Sequence, residues 1–282
     1  MIVIAGSGKY PVIYTVEHAS ANLHRFAERC ALSPNDVRRF SDYDTELTVP
    51  STNATATVIS GHSRALGDAN RPPNNEELFP LQDFGKPRNN VWLPGRELTK
   101  SEQRVLRKKY YNPYHDAIIS QLKEAPAKVL LVSWHNTANK QLAINDDGKP
   151  VMMPSIILSN RGLPDTAEIG DELVTCNPEL LRSLGFELSK QLGLAGLASD
   201  VCLNYVFKGG YATQRYSSLR NSGELKSLGI GNFVQSLQVE YNTRLTNDQK
   251  SLEPNLMAMR ALSSAFEKAL AITLEVVGLD VR

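Results

Sequence analysis

The sequence predicts an α/β fold: one domain over residues 1–282, with a mostly parallel or mixed central sheet and helices on both faces. Two observations carry this. Val129 to Val132 is an unbroken apolar run rich in β-branched residues, the pattern of a strand buried on both faces. Strand-like and helix-like segments also alternate along the 282 residues, with no internal repeat, low-complexity tract or linker, which is the order of an α/β domain. A hydrophobic share of 41% is enough to fill one core of that size.

Composition excludes several classes. A net charge of +1 gives no broad field for nucleic acid or an anionic membrane. No apolar run approaches the roughly 18 residues that span a bilayer. Met1 to Ala5 is apolar but has no basic leader, so no signal peptide is expected. Cys30, Cys176 and Cys202 are odd in number and widely spaced. They make neither a disulfide framework nor a CxxC site, and a reducing cytoplasm is expected. The partner expected is a small-molecule or short-peptide substrate; the oligomeric state is left open.

In chain order, Val12 to Val16 reads as a strand running into Glu17-His18-Ala19-Ser20. Asn22 to Cys30 reads as a short helix. Ser33-Pro34 opens another, with Ser33 as N-cap and Pro34 at the first helical position. Asp42-Tyr43-Asp44-Thr45-Glu46 is an unusually acidic turn. Ala54 to Ser60 alternates like a strand. Gly61 to Asn75 then packs Arg64, Asp68, Asn70 and Arg71 around almost no core-forming residue. The prolines after Arg71 deny it helical continuation.

Glu76 to Leu98 is long and proline-punctuated, as functional or mobile loops are. Thr99-Lys100-Ser101-Glu102 is a capping box, and Pro113 kinks or restarts the helix it opens. His115, near that break, reads as structural. The central strand from Lys128 ends at His135-Asn136, and Asn139 to Pro150 reads as a polar loop. Ser155 to Leu158 is a further strand, and Asn177-Pro178-Glu179 opens a helix stopped at Gly193. Val201 to Val206 reads as a strand, and Phe207 to Thr213 as a glycine loop, a tight turn or a close backbone approach to a ligand. Ser236 to Tyr241 is a late strand carrying Glu240, and Ser251 to Val277 a long amphipathic helix.

The chemistry lies at strand ends. In open α/β sheets ligands bind beyond the carboxyl ends of the strands. Two such ends supply His18 and His135, the acidic turn supplies Asp42, and the late strand supplies Glu240, a carboxylate in a context that normally excludes one. A zinc hydrolase needs three protein ligands, an open position for water, and a nearby carboxylate to take that water's proton. Two histidines and a carboxylate are a standard ligand set. One zinc ion per chain is therefore expected.

The motif order resembles the N-formylglutamate amidohydrolase family over most of the chain. The family's Pro-His-Ser-Gly is matched by Glu17-His18-Ala19-Ser20, and its Asp-aromatic pair by Asp42-Tyr43. Its Ser-Arg-x-x-x-Asp-x-Asn-Arg-Pro-Pro is matched in full by Ser63, Arg64, Asp68, Asn70, Arg71, Pro72 and Pro73. Pro-Tyr-His-Asp recurs at Pro113 to Asp116, Asp-x-His-Ser at Ser133 to Asn136, Phe-Lys-Gly-Gly at Phe207 to Gly210, and Leu-Gln-x-Glu at Leu237 to Glu240.

That resemblance implies a fold like the zinc carboxypeptidases and a reaction on a C–N amide bond. It implies His18 and His135 as zinc ligands and Glu240 as general base. Asn70 and Arg71 would hold a substrate carboxylate, with Asp68 pairing Arg64 and leaving Arg71 free. Arg64 is counted with the catalytic groups, and Gly209, Gly210 and Thr213 with the substrate-binding ones. Asp42 is the expected third ligand, since the carboxypeptidase position three residues after the first histidine is Ala21. Glu17 and His115 compete for that place. Glu17, as the neighbour of His18 on a strand, is expected to point away from it. The sequence departs from the family at Glu17, Ser20 and Ser133, and the family's Thr-Arg reads Thr213-Gln214, with Arg215 one place later. The substrate expected is a small N-acyl amino acid, N-formyl included, with a free carboxylate. A peptidase-like or cell-wall-peptide amidase is the alternative, and an inactive amino-acid-binding relative the one outside enzymes.

Overall fold

Seven strands make the central sheet: β1 (Ile2–Ala5), β2 (Val12–Val16), β3 (Ala56–Ile59), β4 (Lys128–Thr137), then β7 (Ile156–Ser159), β8 (Val201–Leu203) and β9 (Phe233–Asn242). Between β4 and β7 lies a separate two-stranded pair, β5 (Gln141–Ile144) and β6 (Pro150–Met152). The structure is a computed structural model and describes residues 1–84, 87–144 and 150–278. The sheet order is β1-β3-β2-β4-β9-β7-β8. Strands β3, β2, β4 and β9 run parallel, while β1 and β7 join antiparallel at either side of that block and β8 runs parallel to β7. The sheet is therefore mixed. The carboxyl ends of its four parallel strands face one way, where an α/β sheet binds ligands.

The helices are α1 (Pro34–Phe40), α2 (Lys100–Leu106), α3 (Asn112–Glu124), α4 (Pro178–Leu194), α5 (Tyr211–Arg215), α6 (Ser218–Ser227) and α7 (Leu256–Val276). They cover both faces, because the strands are apolar on both. Val12, Tyr14, Leu130, Val132, Trp134, Leu237 and Val239 pack with α4 and α7. Ile13, Val129, Leu131 and Val234, one residue out of phase, pack with α3, α5 and α6. This is the period of two with both phases buried, which explains the unbroken apolar run. Trp134 also finds a partner for its indole N–H, which donates to Thr48 Oγ1 at 2.9 Å.

Local signals place most helix starts. Ser33 Oγ accepts from Asp36 N, and Thr99 and Glu102 complete the reciprocal capping box. The break near Pro113 is a π-helical turn over Arg107–Tyr111 between α2 and α3, the form in which a helix absorbs an extra residue. Asn22 to Cys30 forms only a 3-10 turn, His24–Arg29.

One element was not expected, and three expectations need correction. Met1 to Ala5 contains an edge strand, signalled by no turn before it. The 139–150 stretch holds the β5–β6 ladder, with residues 145–149 outside the described residues. The strand at 201 ends at Leu203, where Asn204 adopts a φ of +51°. The 76–98 stretch is not loose: Leu78, Phe79, Val91 and Trp92 are buried in a third cluster with Phe26, Phe40, Leu66 and Tyr111. Its backbone bridges Cys30 to Trp92 and Gln82 to Asn90. Among the described residues, no helix is long and apolar enough to cross a membrane.

Candidate metal centre and active site

Strand β2 ends one residue before Glu17-His18, and β4 carries Ser133 and His135 on one face. On β9, paired in parallel with β4, Gln238 stands opposite Ser133 and Glu240 opposite His135. Parallel register puts facing residues on the same side of the sheet, so Ser133, His135, Gln238 and Glu240 form one patch. Asp42 reaches it from the turn after α1. The Asp42 N–H donates to His18 O at 3.0 Å, and Asn136 Nδ2 donates to Tyr43 O at 2.8 Å. The acidic turn is thus fastened to both histidine-bearing elements.

His18, Asp42 and His135 each present one donor atom, all within 4.8 Å of one another. His18 Nδ1 is 3.2 Å from Asp42 Oδ2, and His135 Nδ1 is 2.6 Å from the same oxygen. Their rings lie 5.0 Å apart between centroids. Each outer nitrogen meets a different carboxylate: His18 Nε2 lies 2.7 Å from Asp68 Oδ1, and His135 Nε2 lies 3.2 Å from Glu17 Oε2. Burial would raise the Asp42 carboxyl, but the two imidazoles outweigh it and hold it well below the usual carboxylate range. Burial would likewise lower the His135 imidazole, and the Asp42 and Glu17 carboxylates outweigh it and raise it well above the ordinary value.

Glu240 is buried beside this group. Burial pushes its carboxyl up to about 8, with the charge on His135 opposing and that on Asp42 adding. A cation among the neighbouring donors would draw that value down. Glu240 Oε1 accepts from Gln238 Nε2 at 2.8 Å, and Gln238 Oε1 accepts from Gly210 N at 2.7 Å. One amide therefore ties the candidate base to the glycine loop. Gln238 is a site residue the sequence reading missed. The signal was there in its spacing, since i and i+2 on a strand share a face.

The arginine loop divides its charges unevenly. Arg64 donates through Nε and Nη2 to Asp68 Oδ2 at 3.1 and 2.9 Å. Its guanidinium also lies 3.7 Å from Asp42 Oδ1 and over the rings of Phe40 and Phe84. Arg71 is 3.9 Å from Asp68 and 3.2 Å from Glu77, both through its guanidinium. The expectation from sequence that Arg71 is free is therefore corrected: Glu77 and, more loosely, Asp68 pair with it. Its close partner, however, is a half-exposed carboxylate, and such pairs are worth little. Asn70 Nδ2 lies 3.3 Å from His135 Nε2, and its Oδ1 accepts from Ala212 N.

That position explains the double glycine. A Cβ on Gly210 would fall 2.2 Å from Asn70 Nδ2, and Gly209 has a φ of +103°. The close approach is made to Asn70. Thr213 does not line the site: it is fully buried and packs under Gly209. His115 stays outside as well, bonded through Nδ1 to Tyr216 OH at 2.8 Å. Arg215 turns away to Glu224 and the rings of Tyr211 and Tyr216. Glu17 reaches the group after all, but on the far nitrogen of His135.

The cluster lies at the carboxyl ends of the parallel strands of an α/β sheet. The chain belongs to the N-formylglutamate amidohydrolase family, whose model matches residues 10–226. The family name implies a hydrolase of amide bonds. Among solved structures, the N-formylglutamate amidohydrolase of Ralstonia eutropha JMP134 is 19% identical, with 98% of each chain covered and a TM-score of 0.67. A gene product of Agrobacterium tumefaciens is 17% identical, covering 98% of this chain and 95% of that one at a TM-score of 0.62. Both show the fold. A metallo-carboxypeptidase of Burkholderia cenocepacia, at 10% identity, 98% and 60% coverage and a TM-score of 0.37, is too distant to carry an argument. No curated protein matches the sequence. The family match ends before Gln238 and Glu240 and does not cover them.

Proposed function

We propose that the protein is a zinc-dependent amidohydrolase that cleaves the amide bond of a small N-acyl amino acid with a free carboxylate. Residues 1–282 form its catalytic domain, and three free thiols support a reducing cytoplasm as its compartment. The observation that carries this reading is the meeting of His18, Asp42 and His135 within 4.8 Å, beside a buried glutamate. Two imidazoles and a carboxylate, with both outer ring nitrogens against carboxylates, suit zinc by donor chemistry. One ion per chain would be held by His18, Asp42 and His135.

Zinc, when bound, supplies Lewis acidity and makes a water molecule more acidic. The remaining work belongs to side chains. Glu240 takes the proton of the attacking water and passes it to the leaving nitrogen; a positioned base of this kind contributes roughly 10²–10⁴-fold. Gln238 fixes one oxygen of that carboxylate. Arg64, pinned by Asp68, offers fixed positive charge to the oxygen that becomes anionic. Asn70 and Arg71 bind the substrate carboxylate, Arg71 exchanging Glu77 for it. Gly209 and Gly210 let the loop close over Asn70.

The test is metal analysis followed by assay of N-formyl and N-acetyl amino acids, with and without zinc. We expect about one zinc per chain and hydrolysis that a chelator abolishes. A protein that retains no metal and hydrolyses none of these substrates when zinc is supplied would overturn the reading. Faster cleavage of short peptides would move the substrate class to the peptidase side.

A further inference from the structure

The reaction above leaves one wholly buried carboxylate without a task. Glu17 has a fully enclosed side chain, and His135 is its one ion-pair partner among the described residues. An unpaired buried carboxylate is strongly disfavoured, so its neighbours indicate what it is held for. Glu17 Oε2 accepts from Ser133 Oγ at 3.1 Å and lies 3.2 Å from His135 Nε2. Ser133 Oγ itself lies 2.9 Å from that same nitrogen, and Asn70 Nδ2 3.3 Å from it. The opposite ring nitrogen of His135 faces Asp42.

Imidazole has two distinct nitrogens, and the partner of one decides what the other offers. A carboxylate at Nε2 requires a proton there, which leaves the Nδ1 lone pair for a cation. His18 has the same arrangement through Asp68. Asp68, however, is also neutralised by Arg64, whereas among the described residues no arginine pairs with Glu17. Its charge faces His135 with the Ser133 hydroxyl, and no second ion-pair partner among the described residues, on the same oxygen.

The two departures from the family's motif meet at this point. Where the family carries an aspartate on the histidine's own strand, this chain has Ser133. Where the family carries proline before the first histidine, it has Glu17. We infer that Glu17 is a positioning residue: from the neighbouring strand it fixes the tautomer and orientation of His135, taking the place of a carboxylate at position 133. This rests on the proposed zinc site, and it concerns how tightly that site holds metal.

The test is zinc affinity, measured by competition with a chromophoric chelator, together with the thermal midpoint of each variant. Glu17→Gln keeps the shape and removes the charge, and is expected to weaken zinc binding about 10- to 100-fold. The double variant Glu17→Gln/Ser133→Asp returns a carboxylate to the same nitrogen from the histidine's own strand. It is expected to recover affinity to within a few-fold of wild type. A merely structural role for Glu17 gives no such rescue. Wild-type affinity in Glu17→Gln, or a loss that Ser133→Asp does not repair, overturns the inference. If Glu17→Gln fails to fold, the double variant decides on the same criterion. If wild type binds zinc but hydrolyses no amide, only the proposed activity fails and the affinity comparison stands. If wild type binds no zinc, both fall.

Discussion

The candidate site has two halves that are held in different ways. The strand half comprises Glu17, Ser133, His135, Gln238 and Glu240, at the ends of β2, β4 and β9. Its spacing follows from ladder register: His135 stands opposite Glu240 because every preceding pair from Lys128 and Phe233 is in step. The loop half comprises Asp42, Arg64, Asp68, Asn70 and Arg71. No ladder spaces these residues. Asp68 instead collects His18, Arg64 and, more loosely, Arg71, over a small apolar cluster formed by Phe26, Phe40, Leu66, Leu78 and Trp92. The difference teaches where each half can fail. A strand residue can be changed with its neighbours left in place. A loop residue holds its neighbours through charge, so its removal disturbs more than its own task.

The largest effect is expected where the halves meet. Asp42→Ala removes the carboxylate shared by His18 and His135 and leaves those imidazoles facing one another. Loss of zinc at ordinary concentrations is expected, with activity reduced by at least about 10³-fold, since metal and base act as one unit. Metal analysis of the purified variant checks it. Full zinc occupancy in Asp42→Ala would place the third donor elsewhere. A strand-half change should be cleaner. Glu240→Gln is expected to keep zinc near wild type and lower the turnover rate at least about 10²-fold. If zinc is lost with it, Glu240 belongs to the donor set and the division drawn above is wrong.

Within the loop half, Arg64 and Arg71 separate the structural from the exchangeable cation. A charge-assisted bidentate bond to a carboxylate is worth about 1.5–3 kcal/mol, or roughly 10- to 150-fold. Arg71→Ala is expected to cost that factor in kcal-equivalent terms on kcat/KM for an acyl amino acid with its carboxylate free, and far less with the carboxylate capped as an amide. Its loss of Glu77, a solvated partner, is expected to leave the thermal midpoint nearly unchanged. Arg64→Ala strips the buried Asp68 of its neutralising charge and is expected to lower the midpoint as well as the rate. Equal losses on free and capped substrate in Arg71→Ala would remove it from carboxylate recognition.

The two halves also differed in how far the sequence revealed them. His135 was legible because it closes a strand that begins as an apolar run, and Glu240 because a carboxylate inside a strand is exceptional. The α/β class, the capping box at Thr99 and the N-cap at Ser33 were legible for the same reason: each is a local pattern with a local cause. Asp42, Arg64 and Asn70 stood out by local composition, but the roles of Arg64 and Asn70 came from matching a motif, and nothing local says that the turn after α1 folds back on β4. The fate of Arg71 turned on Glu77, a residue without any pattern. Glu17 was expected to point away from His18, and its nitrogen contact depends on the register of β2 against β4, which a single sequence does not encode. The apolar cluster under residues 76–98 was hidden because its members are scattered among prolines and polar residues at no fixed period.

The smallest effect asks whether both halves are equally dry. His115 lies under the strand half, on α3, and His62 under the loop half, against Tyr110. Burial lowers the first imidazole to about 3 and the second to about 4. Both are therefore neutral in the folded protein at pH 6, while an unfolded chain begins to protonate them near 6.5. A lowered folded value means that stability from these groups is complete above about 6.5 and is lost as pH falls toward the folded values. Each contributes up to about 1.4 kcal/mol of lost stability per pH unit below that point. Carboxylates such as Asp68, held below their usual range, lose stability only at lower pH, whereas Glu240, raised to about 8, contributes over the interval from 6.5 to 5 equally in wild type and variant, so the comparison between them isolates the histidine. Changes at His135 act in both wild type and variant and cancel in the comparison. His115→Gln and His62→Gln are each expected to flatten the fall in unfolding free energy over that interval by one histidine's share, measured by denaturant titration at several pH values. Flattening by one variant alone would mean that water reaches the other half, and no flattening by either would mean that both imidazoles protonate within the folded protein.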